Sequence, residues 1–391
     1  MIRRVKKVFE LEASTGIFLL IATIAALWVA NSEGFTLYQN FFAINLPINF
    51  DVVGIHKNMT VRDWINDGLM AIFFLLVGLE LKEEVLAGEL SSKERAMLPA
   101  IAAVGGVVVP ALIFLMFNFD HKENLKGFAI PTATDIAFAY GVICVFGKKI
   151  SKSLRVFLIS LAIFDDLAAI LIIAIFYSQG LSLFYLLLSF VVFAGLAALN
   201  FRNSTTVSFY LLLGAALWLM VLKSGIHPTV AGVVLAMFVP HDKNTLKNLI
   251  KKIAPAVNFI VLPIFAFANS GVRIADFSLD VMSQPLVLGI ICGLFFGKQI
   301  GIMLFSFIAI KLKITHLPRS LTGKEVSWFE FYGVVILTGI GFTMSFFIGS
   351  LAFFDNQILF DEVKIAVLVA SFLAAVFGMA IINFSLSKSK L

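Results

Sequence analysis

The stretch Val156 to Tyr177, VFLISLAIFDDLAAILIIAIFY, decides how this chain is read. It is long enough to cross a bilayer as a helix, which takes about 20 apolar residues. Near its midpoint stand two adjacent carboxylates, Asp165 and Asp166. A charge at that depth costs roughly 2.5–3.5 kcal/mol on insertion scales, and two side by side also repel each other. A helix that only had to pack would lose stability by carrying them. The pair therefore reads as a functional site inside a membrane.

The surroundings agree. Of 391 residues, 60% are hydrophobic and only 14% charged, where an average soluble domain has about 25% charged residues. This excludes an ordinary soluble enzyme and indicates an all-α polytopic membrane protein embedded in the lipid bilayer. The longest polar gaps, 31–59 and 241–252, are too short for a soluble module, so a single membrane domain is expected over 1–391. The net charge of +6 could suggest nucleic acid. Basic cytoplasmic loops explain it better, and no nucleic-acid partner is expected. Cys144 and Cys292 lie in apolar runs and support no disulfide framework. The start, MIRRVKKVFE followed by GIFLLIATIAALWVA, has the look of a signal peptide. No small-x-small cleavage site comes after it, so a retained first helix is expected.

Apolar runs read against turn signals predict twelve spans. They cover about 13–31, 60–85, 97–117, 128–146, 154–177, 182–200, two pieces of 207–240 parted at Lys223-Ser224-Gly225, then 249–271, 286–311, 327–350 and 360–385. Between the first two, alternation around Pro47 and Gly54 predicts a small extracytoplasmic β-hairpin at 43–57. With these boundaries, 22 of the 30 Lys and Arg fall on one side, seven on the other, and Lys298 lies inside a span. So uneven an alternation predicts both termini in the cytoplasm.

Helices three to five and ten to twelve are then seven apart, run in opposite senses and can form an inverted repeat. The middle member of each triplet has a weak point: Pro131-Thr132-Ala133-Thr134-Asp135 in helix four and Leu337-Thr338-Gly339-Ile340-Gly341-Phe342-Thr343 in helix eleven. Matched interruptions in two halves point to a transporter's binding site. Packing glycines and a proline kink are the plainer alternative.

Four ionisable residues lie deep in the membrane: Asp135, Asp165, Asp166 and Lys298. Consecutive residues point about 100° apart on a helix, so Asp165 and Asp166 can reach one cavity wall. Two carboxylates this close cannot both ionise cheaply, so the pair is expected to exchange protons. Carboxylate oxygens also suit a hard cation. Because the same oxygens hold either a proton or a metal ion, competition alone can couple two flows. Lys298 needs an anion, and an aspartate of helix five is the obvious partner, either for ion transport or as a structural pair. Asp135 either compensates half-helix dipoles or is an N-cap and no more. Thr134 offers a hydroxyl to the site, or back-bonds to its own helix. At the inner end of helix two, Glu80, Lys82, Glu83 and Glu84 crowd toward Lys243–Lys252, either as a cation funnel or pH sensor or as ordinary interfacial charge. His227 reads as a capping or turn histidine.

Seven stretches, FFLLVGLELK (73–82), IPTATDIAFA (130–139), LAIFDDLAAI (161–170), LKSGIHPTVAG (222–232), LPIFAFANSGV (262–272), FGKQIGI (296–302) and GIGFTMS (339–345), resemble signatures of the NhaA family of bacterial sodium–proton antiporters. The resemblance covers nearly the whole chain. It implies an inner-membrane secondary transporter, not an enzyme, that exports sodium or lithium for more than one proton and needs no cofactor. It implies Asp166 as main cation ligand and Asp165 as its partner, titrating or paired with Lys298. Asp135 and Thr134 would sit where two broken helices cross, opposite Gly339–Gly341. Glu80 and Glu84 would belong to a cytoplasmic funnel linked to pH control, and the hairpin would join a homodimer. Two departures bear on pH control: Glu83 stands where family members carry Arg, and the loop before helix nine, HDKNTLKNLIKKIAPAV, has His241 and no Glu.

Other chemistries fit less well. An organic-anion carrier would favour a cavity cation besides Lys298. An intramembrane aspartyl protease uses two aspartates on separate helices, but the Gly-x-Gly-Asp pattern is missing. A polyprenyl transferase wants Asp-Asp-x-x-Asp, and Asp165-Asp166-Leu-Ala-Ala lacks the third carboxylate. A passive channel wants an open axis of sites, which broken helices do not suggest.

Overall fold

In the computed structural model the described residues are 2–51, 55–178, 180–242, 245–274, 279–319, 323 and 325–388. Nearly every apolar run is helical, because a bilayer core offers backbone N–H and C=O groups no partner but each other. Helix α1 (Ile2–Ala30) is followed by α2 (Phe35–Phe42), which meets the apolar part of α1 at 114°. Strands β1 (Ile48–Phe50) and β2 (Ile55–Lys57) pair antiparallel, Ile48 opposite Lys57 and Phe50 opposite Ile55. The hairpin expected at 43–57 is present; residues 52–54 of it lie outside the described residues.

Helix α3 (Val61–Asp63) runs through a π-helical turn, Trp64–Leu69, into α4 (Met70–Ala87). Then come α5 (Lys93–Asn118), a 3-10 turn Ile130–Thr132, and α6 (Ile136–Cys144). Between that turn and α6 the backbone is extended at Ala133 and Asp135, so the weak point read in helix four is a real break. Helices α7 (Lys152–Phe176), α8 (Leu183–Phe201), α9 (Val207–Ser224) and α10 (Val230–Phe238) come next. Helix α9 stops at Gly225, whose φ of +90° is left-handed, the usual way a glycine closes a helix.

Helix α11 (Thr245–Ala256) passes through a π turn, Val257–Val261, into α12 (Leu262–Ser270). Helix α13 (Pro285–Cys292) does the same through Gly293–Gly297 into α14 (Lys298–Lys311). Helices α15 (Trp328–Leu337) and α16 (Phe342–Ala352) meet at 45° across the second expected break, and α17 (Gln357–Lys388) is the last helix.

Among the described residues eight helices are long and apolar enough to cross a membrane, ten if each bent pair is one span. The two expected spans outside that count are helix two, whose end carries Glu80, Lys82, Glu83 and Glu84, and helix eight, only nine residues long as α10. Helix α8 shows the solvent it is made for. It is almost wholly apolar, yet Leu196 is its one buried residue, and Leu183, Phe184, Leu187, Phe190 and Val191 all face outward. A soluble monomer rarely exposes so continuous an apolar face.

The chain packs as two compact units, one of residues 1–21, 89–169 and 272–391, the other of 22–88 and 170–271. In the first, α5 and α14 cross at Gly105 and Gly301. A Cβ on Gly105 would lie 2.3 Å from the Gly301 carbonyl oxygen, and one on Gly301 2.1 Å from that of Gly105, so the crossing requires both glycines. Tyr140, Phe331, Phe346 and Phe347 are fully buried in the same unit, and α17 lies against α13, α15 and α16. In the second, α4 packs along α10 over a core that includes Leu75, Leu79, Leu217 and Leu235.

Candidate ion-coupling site

Every charged group read as buried in the sequence is buried in the first unit. Asp135 and Asp166 are 2% exposed, Asp165 1% and Lys298 not at all. Asp165 and Asp166 project from the middle of α7. Lys298 opens α14 directly after the π turn Gly293–Gly297. A π turn inserts a residue into the helical repeat and rotates the next turns about the axis, and such turns recur at functional sites. Here the rotation brings the Lys298 ammonium onto Asp165, to whose Oδ2 its Nζ donates a hydrogen bond.

Thr134 comes from the break before α6. Its Oγ1 lies 2.7 Å from Asp165 Oδ2 and 2.9 Å from the Thr338 carbonyl oxygen of the other break. A hydroxyl has one proton to donate, so Thr134 can serve one of these acceptors at a time. Asp165 Oδ1, also fully buried, accepts no hydrogen bond from the described residues. Oxygens of Asp165, Thr134 and Thr338 are thus linked through the Thr134 hydroxyl, and the ammonium meets them at Asp165 Oδ2. A hard cation wants such donors, and the ammonium occupies part of their charge in its place.

Asp135 joins the two breaks. It is the N-cap of α6, with Oδ1 accepting from the Phe138 N–H at 2.9 Å. Its Oδ2 accepts from the Thr343 N–H at 3.0 Å and from Thr343 Oγ1 at 2.5 Å, in the first turn of α16. The Asp135 N–H in turn donates to the Ile340 carbonyl at 2.7 Å. One carboxylate therefore caps two helix N-termini, where half-helix dipoles place positive charge. Ser345 Oγ adds a bond to the Ile130 carbonyl at 2.8 Å. Backbone that left its helix is satisfied by the opposite break, as a dry interior requires.

Thr134, Asp165 and Lys298 are thus brought together by hydrogen bonds, with Asp166 next along α7; Asp135, the chain neighbour of Thr134, bonds instead to Phe138 and Thr343. Glu80 and Glu84 belong to the second unit, one helical turn apart on α4 and partly buried. Next to them Lys82 Nζ donates to the Met237 and Val239 carbonyls, both at 2.6 Å. Glu83 Oε1 is 3.5 Å from Lys247 Nζ, so the crowding of this end toward the 243–252 basic segment is real; Lys243 lies outside the described residues. His227 makes its turn contact, Nδ1 to Thr229 Oγ1 at 2.7 Å, and its Nε2 also lies 3.3 Å from Asp67 Oδ1.

The sequence reading missed Thr343 and Thr338 as partners of the acids, although both stand in the stretch singled out as the second break. It also missed the π turn before Lys298. The glycines at both ends of Gly293-Leu-Phe-Phe-Gly297 were the available signal.

Known proteins match the chain along most of its length. The family described as Na+/H+ antiporter 1 matches residues 6–382. A Campylobacter jejuni protein named Na(+)/H(+) antiporter NhaA 2 is 47% identical over 378 residues, 96% of this chain and 97% of the relative. The Na(+)/H(+) antiporter NhaA of Pelagibacter ubique is 47% identical over 385 residues, 97% of each chain. That of Psychrobacter arcticus is 44% identical over 391 residues, 98% of this chain and 96% of the relative. Matched from end to end, with its buried acids and lysine drawn together at two crossing breaks, the chain belongs to the NhaA family of Na+/H+ antiporters.

Proposed function

We propose that this protein is an electrogenic secondary antiporter that exports sodium, or lithium, across the bacterial inner membrane in exchange for more than one proton. Its twelve crossings include an inverted repeat of helices three to five and ten to twelve, with both termini in the cytoplasm. Asp166 is the main cation ligand, Asp165 its partner, and Thr134 supplies a further oxygen.

The observation that most supports this reading is the Lys298–Asp165 pair with Asp166 beside it. A sodium ion entering these oxygens competes with the ammonium for Asp165 and with a proton for Asp166. A buried ammonium deprived of its counter-charge is expensive to keep, so cation uptake expels protons from both places. Two protons leaving for each single charge bound makes the cycle respond to voltage. Asp135 and the breaks it joins form the element that rearranges between the two access states, since their backbone is held by side chains and not by a helical ladder. Glu80 and Glu84 tune the exchange to pH, and the hairpin joins two copies in a homodimer.

The test is sodium-dependent pH change in proteoliposomes, with lithium and potassium compared. Sodium and lithium should collapse an imposed proton gradient and potassium should not. Asp166→Asn should abolish exchange while the protein still inserts. Normal sodium-driven proton flux in that variant would overturn the assignment.

A further inference from the structure

Gln299, the residue after Lys298, stands on the first turn of α14 and is 6% exposed. Its Oε1 accepts a hydrogen bond from the Tyr332 hydroxyl of α15 at 2.6 Å. Its Nε2 is buried and has no hydrogen-bond partner among the described residues. Turning the amide over would exchange its two ends and still leave one of them unmet, because the hydroxyl lies against one end only. A buried polar group without a partner is costly. A leucine would fill much the same space without that cost. The amide therefore asks for a role beyond packing.

The bond to Tyr332 lies where the direction of Lys298 is decided. The π turn Gly293–Gly297 ends immediately before that lysine. Such a turn departs from the regular α-helical ladder, so the ladder alone does not hold the first turn of α14 to one angle. Two outside contacts do. A Cβ on Gly106 would stand 3.7 Å from Lys298 Cδ, which places the lysine stem against α5. On another side Tyr332 holds Gln299. Consecutive helical residues point about 100° apart, so fixing Gln299 on α15 fixes the direction in which Lys298 leaves α14, toward Asp165 of α7. Helix α15 is itself seated on both neighbours. Phe331 packs on Phe157 of α7 with ring centroids 4.8 Å apart, and Trp328 on Phe307 of α14 at 5.8 Å.

We infer that Gln299 and Tyr332 are positioning residues for Lys298, and that their bond sets how firmly its ammonium holds Asp165 against an incoming sodium ion. The inference rests on the competition of the two cations for that carboxylate proposed above. With the bond in place, sodium must displace an ammonium kept in register by α5 on one side and α15 on the other. Without it, the first turn of α14 can swing, Asp165 is held less firmly, and sodium displaces the ammonium at a lower concentration. The sign of this effect separates positioning from packing. Altering a residue that only packs lowers stability or rate; it does not improve the apparent affinity for sodium.

The experiment measures sodium-dependent pH change in proteoliposomes at one fixed pH, over a range of sodium concentrations, for Tyr332→Phe, Gln299→Leu and the double variant. Tyr332→Phe deletes one oxygen from a partly exposed side chain, so it should insert and unfold at nearly the temperature of the unaltered protein. It should lower the half-saturating sodium concentration about threefold and leave the maximal rate nearly unchanged. Gln299→Leu should do the same, and the double variant should go no further than either single one, since both remove one bond. If Gln299→Leu fails to insert, Tyr332→Phe alone decides. An unchanged or raised half-saturation in Tyr332→Phe overturns the inference. So does a fall in maximal rate alone, or single effects that multiply in the double variant. Asp166→Asn, run alongside, tells the two readings apart. Normal exchange in Asp166→Asn would overturn the transport reading on which this inference rests. A silent Asp166→Asn beside a Tyr332→Phe that matches the unaltered protein would overturn this inference alone.

Discussion

A lysine with no exposed surface keeps its charge only while a carboxylate answers it, and Asp165 is that carboxylate. Removing one partner of such a pair typically costs about 3–5 kcal/mol, and removing both costs much less. Lys298→Ala should therefore lower the unfolding temperature of the purified protein markedly, and adding Asp165→Asn should restore part of the loss. Equal, additive losses in the double variant would mean that the pair is not coupled. Thr343 is the quieter residue. It gives the buried Asp135 two bonds, one from its hydroxyl, and a hydrogen bond to a charged group contributes about 1.5–3 kcal/mol. Thr343→Val should cost about that much and slow exchange, while Thr343→Ser keeps both. Indistinguishable turnover of the Val and Ser variants would remove the hydroxyl from the account.

At the scale of elements, the position of Lys298 depends on how close α14 comes to α5. With a carbonyl 2.1 Å from where its Cβ would stand, Gly301→Val must push the two helices apart. Lys298 lies one turn earlier on α14 and moves with them. The expected outcome is a folded but destabilised protein with strongly reduced exchange. Gly323→Val, whose Cβ would meet nothing within 4 Å among the described residues, controls for a general effect of added bulk; its left-handed backbone makes some local strain unavoidable there. If both variants transport alike, helix spacing does not govern the site. The two breaks are likewise one element and not two. Asp135 caps both helix starts, so neither break can open without leaving the carboxylate or a helix N-terminus unsatisfied.

At the scale of the molecule, the proposed competition between sodium and protons makes a prediction about pH. Lower pH on the cation-loading side should raise the half-saturating sodium concentration, about tenfold per pH unit where one proton competes and more steeply where two do. A sodium affinity flat across pH 6–8 would contradict the shared-site mechanism. Exchange should also accelerate or slow with an imposed potential; voltage-independent flux would mean one proton per sodium. Removing residues 46–58 should leave monomers in detergent while transport persists, and a dimer that survives this truncation would place the contact elsewhere.

Much of this was legible in the chain itself, for a physical reason. In a bilayer, helices are dictated by apolar length, and a charge or an extended residue inside one is too costly to be accidental. Val156–Tyr177, the breaks at 133–135 and 338–341, and the hairpin at 43–57 could each be read from a few neighbouring residues. The short α10 and the 114° turn after α1 could not, since nothing local announces how far a helix continues once packing supports it.

The sequence pointed Lys298 to an aspartate of helix five, but which atoms meet belongs to the tertiary structure. Thr343 and Asp135 stand 208 residues apart, and Lys298 and Asp165 stand 133 apart. Composition and spacing determined that this is a membrane protein with an acid pair, a lysine and two interruptions. That Lys298 bonds Asp165 was decided by the π turn and the Gly105–Gly301 crossing, and that Thr134 faces two acceptors with one proton and a single aspartate caps two helices was decided by how the two breaks meet. Those set the azimuth and depth of each helix, and a side chain's reach depends on both.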